Sequence, residues 1–340
     1  MREGKSIGSF LIVSAALVIV LAGIKTASVI IVPFLLSLFI AIIFSPLFNW
    51  LNKKGLPDIL SLFVVVGIFV GLIAIVGILV GSSMHDFNAN LPQYEANLTA
   101  QLSGFFDMLG SYGIRVPKEE LLATFDPKIV MKYLAGTLKS FGSIITNGMV
   151  VLLTVIFLLL ETSQFSQKFK EIDGEKRLHI HISEIGSKIK QYMVLKTIIS
   201  AVTGFLVYII LLIIGIDYPV LWGVAAFLLN FIPNIGSLMA AVPAVLLAQI
   251  QFGFFFAMAV MTVYIIINTV IGSIIEPKVM GNGLGLSTLI VFLSLIFWGW
   301  LLGPVGMLLS IPLTIMVKIV LAANPRTEWM AVMLGEGRSV

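Results

Sequence analysis

The feature that most constrains this chain is a set of apolar runs, each long enough to cross a bilayer. A helix needs roughly 20 apolar residues to span the hydrocarbon core. Runs of that grade lie at 7–24, 27–48, 59–81, 143–160, 198–216 and 254–275. Two further apolar regions, 219–250 and 288–319, are longer and are broken by proline and glycine. Charge is too scarce to cover a globule of 340 residues: 59% are hydrophobic and 11% charged, about half the charged share of an ordinary soluble domain. Lipid must cover much of the surface. The expected fold class is an all-α polytopic integral membrane protein with six continuous spans and two broken helical hairpins. Arg2 and Lys5 precede the first run as in a signal peptide, but the run exceeds a usual apolar signal core and no small-residue cleavage site follows. An uncleaved first span is expected.

Lysine and arginine set the orientation. The polar stretch 162–197 holds seven bases, Lys168, Lys170, Lys176, Arg177, Lys188, Lys190 and Lys196. The longer polar stretch 82–142 holds five bases against six acids. The positive-inside rule places 162–197 in the cytoplasm and, one span away, 82–142 outside. Both termini then fall in the cytoplasm, as do Lys53 and Lys54. The net charge of +4 is spread over loops beside apolar runs, a topology signal and not a nucleic-acid footprint.

Both polar stretches carry helical periodicity. In the first, Leu91, Tyr94, Leu98, Leu102, Phe105 and Leu109 recur at three- and four-residue steps. Pro117 with Glu119 and Glu120, and Asp126 with Pro127, read as helix starts, and the helix from Pro127 is expected to continue into the fourth span. This stripe packs either on its own chain or between protomers. In the second stretch, Leu178, Ile182, Ile185, Ile189 and Met193 form one face, as in a helix lying along the inner interface. His179 and His181 point apart at their two-residue spacing, so no metal site is expected.

The broken regions resemble each other. "FLLNFIPNIGSLMAAVPAVLLA" (227–248) carries Asn230, Pro233, Asn234, Gly236, Ser237 and Pro243. "FWGWLLGPVGMLLSIPLTIM" (297–316) carries Gly303, Pro304, Gly306 and Pro312. Each follows a continuous span, which suggests an inverted repeat. Helix breaks free backbone N–H and C=O groups that lipid cannot satisfy, so they must face protein or a wet cavity. In secondary transporters such breaks form the permeation site. The expected substrate pathway runs between the two hairpins, lined by Asn230, Pro233, Asn234, Gly236, Ser237, Asn268, Gly303, Pro304 and Gly306. Helix kinking alone is the plainer reading of the same residues.

"EPKVMGNGLGLS" (276–287) is expected to link the last continuous span to the second hairpin. Pro277 is read as ending the helix, and Gly281, Gly283 and Gly285 as a mobile turn. Glu276 and Lys278 form either an interfacial ion pair or a gate. Glu161 is the second acid near a span end, and Glu276, Lys278 and Glu161 are the gating or coupling candidates. Mid-span polar groups are uncharged: Asn230, Asn234, Asn268, Thr269 and Ser273. They suit a neutral polar solute better than an ion. Nucleoside-phosphate loops and H-E-x-x-H are absent, and there is no cysteine. No enzyme activity, catalytic residue, metal or cofactor is expected.

"FLLNFIPNIGSLMAAVPA", "YMVLKT" (192–197) and the stretch from Glu276 to Lys318 resemble the autoinducer-2 exporter family of bacterial inner-membrane proteins. The resemblance implies export of autoinducer-2, a small furanone-derived polyol used in quorum sensing, by a homo-oligomer in the cell inner membrane. Some members are sodium(lithium)/proton antiporters, which is the alternative function. Many members carry an aromatic residue and a second proline around the first break, where this chain has Asn234 and Ser237, as in the quorum-signal subgroup. Partners are then the signal molecule and the lipid bilayer, without nucleic acid. The chain is expected to divide into an N-terminal hairpin with the third span (1–81), an extracytoplasmic amphipathic helical insert (82–142), a span with a cytoplasmic interfacial helix (143–197), a transport core holding both hairpins (198–322) and a cytoplasmic tail (323–340).

Overall fold

A computed structural model describes the backbone of residues 2–112, 129–137, 148–171, 176–233, 235–280 and 285–335, with side chains except those of 2–11, 149 and 162–185. Asn234, Gly281 and Gly283 lie outside the described residues, as do the expected helix starts at Pro117 and Asp126–Pro127 and the junction into the fourth span. The architecture is all-α, with no strand among the described residues. Helices in chain order are α1 (Arg2–Thr26), α2 (Ser28–Lys53), α3 (Asp58–Ser111), α4 (129–137), α5 (Gly148–Glu171) and α6 (Lys176–Ile214). They continue with α7 (Pro219–Leu229), α8 (Gly236–Phe252), α9 (Phe254–Ile267), a π-helical segment (Asn268–Ile275) and α10 (Glu276–Met280). The last are α11 (Thr288–Leu308), α12 (Ser310–Ala322) and α13 (Glu328–Met333). Among the described residues, 5 helical stretches are long and apolar enough to cross a membrane: Ser28–Lys53, Asp58–Ser111, Gly186–Ile214, Phe254–Met280 and Thr288–Leu308. This is a polytopic membrane protein.

Two helices are longer than the hydropathy blocks. The third apolar run and the stripe after it are one helix of 54 residues, α3. On it Tyr94 and Leu98 are buried and Leu91 and Leu102 pack against them, so this part of the stripe docks on its own chain; Phe105 is exposed. The expected interfacial helix and fifth span are likewise continuous, as α6 of 39 residues. Nothing in "YMVLKT" breaks a helix, and Ile189 and Met193 are buried against the chain; the side chains of Leu178, Ile182 and Ile185 lie outside the described residues. The helix stops at Gly215, where the N–H groups of Gly215 and Ile216 donate to Leu212 O and Leu211 O in the Schellman pattern.

The chain forms two compact units. The first comprises Met1–Val65, Met149–Leu195 and Asn282–Val340. Here α2 packs on α1 and α11, α11 on α12, and α12 on α13. Ser37, fully buried on α2, donates to Pro33 O and across to Val151 O of α5 at 3.1 Å. Its small side chain lets the two backbones approach. Trp298 Nε1 donates to Thr314 Oγ1 at 2.9 Å, tying α11 to α12.

The second unit comprises Val66–Gly148 and Lys196–Gly281. Its core joins α3, α6, α7, α8, α9 and the π segment through Phe87, Leu211, Trp222, Leu247, Val260 and Ile271. α6 and α7 cross closely. A Cβ on Gly204 would lie 2.5 Å from Gly223 O, and one on Gly223 would lie 2.8 Å from Gly204 O. Small-residue contacts of this kind substitute for a hydrophobic driving force inside lipid.

Candidate functional site

The first break begins at the end of α7. Asn230 keeps a helical hydrogen bond, its N–H donating to Ala226 O at 3.0 Å. The next two N–H groups, of Phe231 and Ile232, tighten to three-residue steps, donating to Leu228 O and Leu229 O. Pro233 cannot donate, and α8 restarts at Gly236. A Cβ on Gly236 would overlap the carbonyl oxygen of Leu229, so only glycine lets the chain turn back this tightly. At 11 residues α7 is about 16 Å long, roughly half the hydrocarbon thickness.

Facing this break, α6 carries Lys196, Ser200 and Thr203, spaced four and three residues apart and all buried. Asn230 Nδ2 donates to Ser200 Oγ at 3.0 Å. One turn earlier, Lys196 Nζ donates to Glu276 Oε1 at 2.6 Å. The helix that delivers Glu276 changes geometry just before it: from Asn268 to Ile275 the backbone adopts the wide π pattern. Such segments re-aim the next turns of the helix and recur at functional sites. Asn268 opens this segment, half-buried, and Tyr264 one turn before it has a buried hydroxyl with no hydrogen-bond partner. On one face of α6 the second unit thus carries a buried lysine, ion-paired with the partly exposed Glu276, and a buried hydroxyl, paired with the amide of Asn230.

Several expectations change here. Lys278 is exposed, and the partner of Glu276 is Lys196, because the helix carries the carboxylate toward α6 and the neighbouring lysine outward. Charge is therefore present among the buried polar groups. Lys196 is buried on α6, just ahead of its apolar run. Pro277 does not end the helix, which runs on to Met280. Proline is tolerated at that second position because the preceding π segment has already displaced the hydrogen-bond register. Gly285 has a positive φ of 63°.

Ser237 is buried at the start of α8. Gly303, Pro304, Gly306 and Glu161 belong to the first unit. Gly303 takes φ 69° and ψ −154°, a conformation essentially confined to glycine, and kinks α11 ahead of Pro304. A Cβ on Gly306 would overlap Trp298 O. The second break, like the first, folds the chain back on itself: the backbone at Gly306 meets the carbonyl of Trp298, eight residues earlier. Glu161 is half-buried on α5. Among the described residues, no group of three or more His, Asp and Glu forms a metal site.

Sequence reasoning missed Ser200 and Thr203. Their signal was their register with the lysine of "YMVLKT", which continues one face into the apolar run. It also missed a second polar cluster. Asp217 Oδ2 accepts from Tyr94 OH at 2.5 Å, Asp217 N–H donates to Gln251 Oε1, and Trp222 Nε1 donates to Asp217 O. The turn is held with Tyr218 in the left-handed region, at φ 60°.

The AI-2E family transporter model matches residues 14–326. The AI-2 transport protein TqsA of Escherichia coli is 40% identical, covering 94% of this chain and 93% of its own. Two further relatives, each named "Putative transport protein", come from Haemophilus influenzae (40% identical, 99% of each chain) and, as YhhT, from E. coli (36% identical, 95% and 93%). With these matches across nearly all of its length, the chain belongs to the AI-2E transporter family.

Proposed function

We propose that this transporter exports autoinducer-2 across the bacterial inner membrane, as a homo-oligomer with both termini cytoplasmic. The observation that carries the reading is the polar face of α6, where Ser200 meets Asn230 at the break between α7 and α8. A small polyol needs hydrogen-bond donors and acceptors without net charge. The amide and hydroxyl pair provide both, and Lys196 and Glu276 neutralise each other one turn away. Asn234, Ser237 and Asn268 extend the same chemistry, and Gly303, Pro304 and Gly306 give the second hairpin a break of its own. The similarity to TqsA, named as an AI-2 transport protein, supports this substrate. Orientation rests on the lysine and arginine bias. The test is flux of autoinducer-2 in proteoliposomes, with and without imposed sodium and proton gradients. Flux without a gradient is the expected result; no flux of the signal under any condition overturns it.

One observation favours a second reading, sodium(lithium)/proton antiport. Glu276 is a largely buried carboxylate, the kind of group that could exchange a proton for a cation, with Lys196 as its counter-charge. Glu161 is the second acid for that role. Proton movement on adding sodium, lost in Glu276→Gln, would replace the first reading with this one.

A further inference from the structure

The last turns of α2 become polar after a long apolar stretch. Pro46, Asn49, Trp50, Asn52 and Lys53 line an open cavity of about 640 Å³, joined by Lys190 of α6 in the same unit. That is the size of a small-ligand site. Two lysines meet there and no carboxylate is among the lining residues. The acid beside it, Asp58 at the start of α3, is engaged: its Oδ1 accepts from Asn52 Nδ2 at 2.8 Å. This leaves Asn52 Oδ1 as a buried acceptor with no partner, a group that needs a donor. Lys54 lies 4.4 Å over the half-exposed ring of Trp50, outside the lining set. Lysine and tryptophan at the end of a membrane-grade helix mark the depth of lipid headgroups.

We infer that this cavity binds the phosphoglycerol headgroup of an anionic phospholipid. The phosphate sits between Lys53 and Lys190, and a glycerol hydroxyl donates to Asn52 Oδ1. The acyl chains run back along the last apolar turns of α2, where Ile43 and Leu47 are partly exposed. A zwitterionic lipid would bring its own cation against two lysines. A soluble phosphoglycerol has the same headgroup chemistry but no chains for the helix surface. Basic pockets between membrane helices bind anionic headgroups in this manner.

The test uses the full-length protein purified in detergent, with native mass spectrometry counting retained lipid. Phosphatidylglycerol should be retained over phosphatidylcholine, and retention should fall roughly tenfold in Lys53→Gln/Lys190→Gln. Lys53→Arg/Lys190→Arg should keep it. Asn52→Leu retains both lysines and should erase only the preference for phosphatidylglycerol over phosphatidic acid, which lacks the glycerol hydroxyl. Unchanged phosphatidylglycerol retention in a folded Lys53→Gln/Lys190→Gln protein overturns the site. Glycerol 3-phosphate binding as tightly as the lipid overturns the lipid as its source.

Discussion

The ammonium of Lys196 lies 2.6 Å from Oε1 of Glu276, 80 residues further along the chain, with side-chain exposures of 4% and 19%. A pair so placed contributes little net stability, because desolvating both charges offsets their attraction. Removing one partner is another matter, since it strands the other charge. Glu276→Gln should lower the unfolding free energy by about 2–3 kcal/mol, somewhat less than for a fully buried pair because Glu276 retains some solvent. Lys196→Met/Glu276→Leu should recover most of that loss. Thermal unfolding in detergent reads both. If the pair also takes part in transport, the double variant should fold and still fail to move solute.

Asn230→Leu removes one buried hydrogen bond and strands the Ser200 hydroxyl. The expected stability cost is about 1–2 kcal/mol. Autoinducer-2 flux should fall roughly tenfold, as for loss of a direct polar contact to the solute. Ser200→Ala should share the stability cost. A well-expressed Asn230→Leu protein with wild-type flux would remove Asn230 from the pathway.

Glycine substitutions should separate by mechanism. Gly204→Ala and Gly236→Ala drive a methyl into neighbouring backbone and should cost about 1–3 kcal/mol or more. Gly71→Ala, on α3 with open space around its Cβ position, should be neutral or slightly stabilising. A three-way comparison of melting temperatures checks the ranking.

Gly303→Ala meets no atom within 4 Å of the new Cβ, yet φ is +69°. Its cost, about 1–3 kcal/mol, should be purely conformational. Pro304→Ala should not aggravate it, because the strain resides in the glycine. Additive losses in the double variant, measured by unfolding, would refute that assignment.

Tyr94→Phe should cost about 1.5–3 kcal/mol by removing the donor to Asp217. Autoinducer-2 flux measured per folded molecule should not change, because this cluster braces the turn after α6.

The broken hairpins were legible because their causes are local. Pro233, Gly236, Gly303 and Pro304 break helices through their own missing N–H or Cβ, wherever they are placed. The polar face of α6 was only half legible. Lys196 stood in plain view, but a lysine at the head of a mainly apolar run reads as a span end when hydropathy is averaged over a window. Ser200 and Thr203 are too weakly polar to lower that average. Both breaks fold the chain back, at Gly236 on Leu229 and at Gly306 on Trp298, and that close approach of backbones is a matter of packing that composition does not show.

By itself the sequence determined the class and the places of interruption. Covering 340 residues with 11% charge requires lipid, and a chain in lipid must be helical wherever its backbone has no other partner. Only the tertiary structure decided which polar groups meet. Glu276 has Lys278 two residues away and is paired with Lys196, because helix phase sets where a side chain points and a π segment resets that phase. Desolvation then makes a partner obligatory for whichever charge is turned inward.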